Sequence, residues 1–513
     1  MKPIRLVRGF VTVGGWTLMS RILGFVRDAL IAAFFGAGPV AEAFAVAFSL
    51  PNMFRRFFAE GTLNVAFVPM FSKKVEAEDH AKRFAEETLA VLATALIALT
   101  LLATLFMPAL VTLMAAGLIG DQRFDLAVDF GRIAFPYVLF ISVGALFSGI
   151  LNATGRFAAA AAAPVMLNVV LSVAMIAASK MGLSVERALI WAVPVAGAAQ
   201  LAVVWIAAAK AGFNLRPRLP RLTPEIKSLL VLAGPAALAG GVVQINLLVG
   251  RQVASFSQEG AIQYLNLADR LYQLPLGVVA IAIGIVLLPD LSRRLQAGDH
   301  KGARDAYNRA FEFALLLTVP AAVALIVIPD VLISFLFQRG AFTAEDTQKT
   351  ALAVMIYGLG LPAFVMQKVL QPLYFAREDT KTPFRFAVYA MVINAVVAVG
   401  LSFVIGYLAA AVATTLAAWG MVALLWFGKK GMGEDVHADT RLIRRAPRIL
   451  IAALLMGAVL WGGEMALSPV FELSRGMGTL LLVALGIVGY FTFAHLIGAV
   501  RMAELRGSVR RGG

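Results

Sequence analysis

Several arginines lie inside apolar stretches of this sequence, and arginine placed there has a specific chemistry. Its guanidinium stays charged at any ordinary pH, and its planar fork binds phosphate oxygens two at a time. The stretch "SRILGFVRD" (20–28) carries Ser20, Arg21, Arg27 and Asp28. On a helix Ser20 and Arg27 share a face, and so do Arg21 and Asp28, with the two faces about 100° apart. Together they make one broad polar stripe. Its structural reading is an Arg21–Asp28 pair, which leaves Arg27 without a partner on its own stripe. The stretch "EAFAVAFSLPNMFRRFFAEGTLNVAFVP" (42–69) puts Arg55 thirteen residues from Glu42, about 20 Å along a helix and therefore deep. Arg56 and Glu60 stand at i, i+4 and read as a pair, so Arg55 is left over. Pro51 removes a backbone donor and predicts a kink, and Gly61 loosens the later part of this helix. In "LADRLYQLPLG" (267–277), Asp269 and Arg270 precede another expected kink at Pro275. Arg251 reads as a cation snorkelling to an interface. Lys368 falls inside an apolar run and is a candidate to line a cavity.

An ionisable group at the centre of a membrane span costs about 2.5–3.5 kcal/mol, so it normally faces a partner or an interior cavity. A cavity lined by a surplus of arginine suits an anion, above all a phosphate or diphosphate, whereas an exporter of organic cations would need the opposite sign. No catalytic machinery accompanies these arginines. There is no G-x-x-x-x-G-K-[ST] phosphate loop, so ATP hydrolysis is not expected. His80, His300 and His437 fall in expected loops and His495 stands alone in the last apolar run, which gives no metal-ligand set. An intramembrane lipid-phosphate transferase would need an acidic metal-binding cluster, and none is found.

The elements that carry these residues can be read from composition. Of 513 residues 60% are hydrophobic and 15% charged, with a mean hydropathy of +0.84. That balance predicts an all-α polytopic membrane protein, because a soluble domain needs a charged surface and a β-barrel would show short alternating segments. Fourteen spans are expected near 10–35, 42–72, 86–116, 124–153, 158–179, 185–210, 223–256, 262–292, 306–337, 346–375, 383–405, 408–428, 446–464 and 477–500. The net charge of +15 is accounted for by short basic loops rather than by nucleic acid. Both ends are basic (Lys2, Arg5 and Arg8; Arg501, Arg506, Arg510 and Arg511), and alternate loops are basic in phase with them, from Lys73 and Lys74 to Arg444 and Arg445. The intervening loops hold only scattered cations such as Arg123, Lys180 and Arg339. Both termini are therefore expected in the cytoplasm. No cleavable signal peptide is expected at the N-terminus. The chain has no cysteine, which excludes disulfides, thiolate metal sites and cysteine catalysis.

The chain also repeats itself. Pro69, Ser72, Lys73 and Lys74 match Pro289, Ser292, Arg293 and Arg294; "MPALVTLM" (107–114) resembles "IPDVLISF" (328–335); and Asn168 in "LNVVLSVAM" falls over Asn394 in "INAVVAVGL". The offset drifts only from 220 to 226. Two six-span lobes in parallel orientation are expected, 1–212 and 213–430, with two further spans and a basic tail over 431–513. Such a repeat places a substrate site between the lobes near mid-membrane.

The strings "SRILGFVRD", "AFSLPNMFRRFFAEGTLNVAFVPMFSK", "ADRLYQLPLGV" and "REDTKTP" (377–383) closely resemble the MurJ (MviN) lipid II flippase family, over essentially the whole chain. The resemblance implies a multidrug/oligosaccharidyl-lipid/polysaccharide exporter fold. It implies movement of the lipid-linked peptidoglycan precursor, lipid II, from the cytoplasmic to the periplasmic leaflet of the bacterial inner membrane. It carries substrate-binding roles to Arg21, Arg27, Arg55 and Arg270, with Ser20, Asp28, Arg56 and Glu60 near them. Glu42, Arg56, Glu60, Asn168, Asp269 and Lys368 are the candidates to support or gate. The last two spans are implied to hold the polyprenyl tail. Glu42 departs from the aspartate common in the family, which keeps the charge and lengthens the reach. No cofactor or metal is implied, and the drive is left open between the membrane potential and a coupled cation. Expected partners are lipid II, membrane lipids and other cell-wall synthesis proteins. A flippase for another polyprenyl-diphosphate oligosaccharide uses similar physics. A non-transporting cell-wall scaffold is the alternative of a different class, and it leaves buried arginines unexplained.

Overall fold

The computed structural model describes residues 4–56, 66–77, 79–216 and 218–500. The described residues form helices joined by short turns. In chain order these are α1 Ile4–Phe35, α2 Pro39–Arg55, α3 Val68–Glu76, α4 Ala81–Leu105, α5 Met107–Ala115, α6 Gln122–Ala134, α7 Tyr137–Ala153, α8 Phe157–Lys180, α9 Val185–Lys210 and α10 Pro224–Ser255. They continue as α11 Ala261–Gln296, α12 His300–Val327, α13 Pro329–Phe337, α14 Ala344–Phe375, α15 Lys381–Ile405, α16 Leu408–Gly428, α17 Thr440–Ala466, α18 Ser468–Leu473 and α19 Arg475–Leu496. Among the described residues ten helical segments are long and apolar enough to cross a membrane, one of them α6 and α7 taken together. The long helices α1, α10 and α11 stand beside these.

Helix ends obey local chemistry. Asp121, Ser184, Thr223, Asp439 and Ser474 each accept a hydrogen bond from a first-turn backbone N–H, opening α6, α9, α10, α17 and α19. Thr343 and Asp346 form a reciprocal capping box at α14. Proline opens α2, α5 and α13, where its missing N–H costs nothing. The two repeat-related strings "MPALVTLM" and "IPDVLISF" behave alike: each comes after a break in a longer run and begins a nine-residue helix.

Two compact units make up the chain: residues 1–263 with 340–342, and residues 264–339 with 343–513. The first packs around Phe67, Phe71, Phe84 and Phe147, whose first three rings lie 5.2 and 5.6 Å apart in a stack. In the second, α17 and α19 pack on each other, and α17 packs on α12, around Ile449, Met456, Leu460, Leu482 and Tyr490. Helices in lipid approach closely only where side chains are small. A Cβ at Gly457 would lie 2.8 Å from Val323, and one at Gly486 would lie 2.8 Å from Leu460. The outer faces stay apolar and exposed, with Phe403 87% accessible, as a lipid-facing surface requires.

Candidate functional site

Within the first unit the polar residues of the first apolar run come together around Arg27. α1 and α8 pack side by side, and Gly24 faces Asn168 of α8, whose amide nitrogen would lie 3.7 Å from an added Cβ, an ordinary contact. Arg27 donates from Nε (3.0 Å) and Nη2 (2.6 Å) to one oxygen of Asp28, and from Nη1 to Asn168 Oδ1 (3.0 Å). Asn168 Nδ2 in turn donates to the Ser20 carbonyl (2.9 Å). Arg27, Asp28 and Asn168 are all buried, and the guanidinium carbon sits 6.0 Å from the Phe48 ring centroid. This corrects the expectation that Arg27 lacks a partner. Neighbouring helix residues do not ordinarily face one another, yet a long guanidinium folds back onto a short carboxylate when a third group receives its other arm. Arg21 is exposed on the same helix.

Glu42 has no solvent exposure, and it sits at the start of α2. It accepts from Arg123 Nη1 (2.8 Å) through one oxygen and from the backbone N–H of Ile262, at the start of α11, through the other (2.9 Å). Arg123 Nε also donates to Asp121 (2.8 Å), and these bonds hold the Asp121 carboxyl below the usual carboxylate range. Arg123 is missed by the sequence reading, which treats it as a scattered loop cation. The signal was present: a buried glutamate needs a cation, and an N-capping Asp121 fixes where α6 begins.

Arg55 is half-buried and lines a cavity of about 480 Å³ inside the first unit, together with Ser148, Asn152 and Gln200. Arg56 is exposed where α2 ends, and Glu60 lies outside the described residues, as does Gly61. Pro51 sits inside α2. In the second unit Asp269 and Arg270 are half-buried on α11, and Asp269 accepts from Gln273 Nε2. Lys368, read as a candidate to line a cavity from its place in an apolar run, has an exposed side chain, and the buried positions of α14 around it are Val365, Val369 and Leu370. Arg251 is half-buried near the end of α10. No group of three or more histidine, aspartate or glutamate side chains poised for a metal occurs among the described residues.

A family model described as Lipid II flippase MurJ matches residues 31–477. The chain belongs to the MurJ lipid II flippase family. A "Probable lipid II flippase MurJ" of Rhizobium tropici is 45% identical, with 99% of this chain and 97% of that protein aligned. One from Rhizobium meliloti (strain 1021) is likewise 45% identical over the same shares. Among solved structures, a lipid II flippase MurJ in an inward closed conformation superposes with a TM-score of 0.78 at 26% identity, covering 95% of this chain and 98% of the other. An inward-facing MATE-family multidrug resistance transporter of the MOP superfamily shares the fold alone, with a TM-score of 0.67 at 15% identity, covering 82% of this chain and 98% of the other. MurJ membership and the apolar helices make this a multi-pass protein of the bacterial inner membrane, and a transporter rather than an enzyme.

Proposed function

We propose that the chain is a lipid II flippase, moving the lipid-linked peptidoglycan precursor from the cytoplasmic to the periplasmic leaflet for cell-wall synthesis and cell shape. The observation that carries this reading is 45% identity along the full length to proteins bearing that name. In this reading fourteen spans, with both termini in the cytoplasm, form lobes over 1–212 and 213–430 with two further spans over 431–513. The headgroup enters from the cytoplasm while the polyprenyl tail stays in lipid, and rocking of the lobes exposes the headgroup outward. Arg21, Arg27, Arg55 and Arg270 receive the diphosphate, with Ser20 and Asp28 beside them. Asp28 and Asn168 hold Arg27 in place, and Glu42, Arg56, Glu60, Asp269 and Lys368 support or gate. The arginine chemistry supports this assignment, since a diphosphate offers several oxygens to planar forks. The drive is the membrane potential or a coupled cation, without a nucleotide.

The test is flipping of a fluorescent lipid II in proteoliposomes, normalised to folded protein. Wild type moves lipid II faster than a neutral polyprenyl-linked sugar, and Arg55→Ala and Arg270→Ala each slow it about tenfold or more. Equal rates for the two lipids, or full activity in both variants, would remove the diphosphate from the reading.

A further inference from the structure

The cavity beside Arg55 has more polar capacity than the protein uses. Its walls come from α7, α8 and α9 with Val13 of α1, and Arg55 of α2 contributes the charge. Gln200 forms a deep part of it: the side chain is buried, and its Oε1 accepts from the Tyr137 hydroxyl at 3.3 Å. Among the described residues nothing accepts from the Gln200 amide nitrogen, and the side chains of Ser148 and Asn152 make no hydrogen bond. Three neutral side chains, able both to donate and to accept, therefore line one space, Gln200 buried and Ser148 and Asn152 half-buried, and are left for water or a ligand to satisfy. The rest of the wall is apolar, with Ala145, Ala160 and Ala161 small and Ile141 and Phe157 large. A volume of about 480 Å³ falls in the small-molecule range of roughly 300–1,000 Å³.

The chemistry of the lining selects the occupant. No carboxylate lines the space, so a cation is not favoured, and Arg55 supplies a single charge, so a second anion is not either. A hydrocarbon chain would leave three polar groups unsatisfied. A ring bearing hydroxyl and amide groups satisfies them, and its apolar faces fit against alanine. We propose that this cavity is the subsite for the sugar ring bonded directly to the diphosphate, with Ser148, Asn152 and Gln200 as specificity-determining residues. This rests on the flippase reading, in which Arg55 takes the diphosphate. A sugar attached to that group must lie next to Arg55, and this cavity does.

The experiment compares binding of three short-chain lipids to the purified full-length protein in detergent: a polyprenol, a polyprenyl diphosphate, and a polyprenyl diphosphate carrying the amide-bearing disaccharide. Wild type is expected to bind them in rising order of affinity. The double variant Ser148→Ala/Asn152→Ala is expected to weaken the sugar-bearing lipid about tenfold, or about 1.4 kcal/mol, and to change the sugar-free diphosphate less than twofold. Ala161→Phe, which fills the space while leaving Ser148, Asn152 and Gln200 in place, is expected to give the same selective loss. Equal losses on both diphosphates, or no loss on either, would overturn the sugar subsite and leave the flippase reading standing. A wild type that binds the diphosphate no better than the polyprenol would overturn that reading and this inference with it.

Discussion

Arg27 is tied at three donor atoms to Asp28 and Asn168, in a place where little water reaches. Breaking a buried pair by removing one partner is far more damaging than its net worth, because the other charge stays behind unpaired. Arg27→Ala should therefore destabilise the fold by about 3–5 kcal/mol. Asn168→Ala, which removes a neutral partner, should cost about 1–3 kcal/mol. Denaturant unfolding in detergent measures both. Arg27→Lys should not rescue, since a single ammonium cannot reproduce the fork. Asp121 supplies a pH test. Arg123 lowers its folded-state pKa, so its contribution is fully present above the ordinary carboxylate value and is lost as pH falls through the lower folded value. The melting-temperature gap between wild type and Asp121→Asn should hold from pH 7 to about 5 and close at pH values well under about 3.9. How much was legible at this scale depended on distance in sequence. Ser20, Arg27 and Asp28 declare themselves by standing in an apolar run, and Asn168 by its repeat position over Asn394. The bonds did not, because Arg27 meets Asn168 across 141 positions and pairs with a neighbour that helical spacing would set aside. Glu42 and Arg123 stand 81 apart, and only the folded chain joins them.

At the scale of elements, the apolar runs announced the helices while the joints stayed hidden. α4 with α5 and α12 with α13 read as single spans, and each is broken where a proline comes shortly after an irregular residue, Phe106 or Ile328. Hydropathy does not see such a break, since both sides of it are apolar. The polar clamp between α12 and α17 was equally out of sight. Glu312 is buried and accepts from Arg309, Arg445 and Arg441, the last through Nε at 3.1 Å, while Arg309 also reaches Asp439 at the start of α17. In the sequence Arg441 and Arg445 count only as loop cations that set orientation. Glu312→Ala strips one acceptor from three arginines at once. It should destabilise the second unit by about 3 kcal/mol or more and speed proteolysis of the segment around residue 440, whereas Glu312→Gln should recover part of the loss. Limited proteolysis of the three proteins under one condition decides it.

For the whole molecule, composition settles membrane class and the long polar strings settle family, and neither depends on knowing a contact. Transport direction is a question of charge. An inside-negative potential favours outward passage of an anion by about 2.3 kcal/mol per charge per 100 mV, so a dianionic diphosphate crossing the full field gains about twice that. Collapsing the potential with an ionophore in proteoliposomes should therefore slow net outward flipping severalfold, and reversing its sign should slow it further. A rate indifferent to the potential would assign the drive to a coupled cation instead. The most direct test of the central claim is made in a bacterium whose own lipid II flippase is depleted while this chain is expressed. Newly made lipid II on the periplasmic face should persist with the wild-type chain and disappear with Arg55→Ala at equal membrane abundance. If lipid II fails to appear outside with the wild-type chain inserted normally, its cargo is not lipid II.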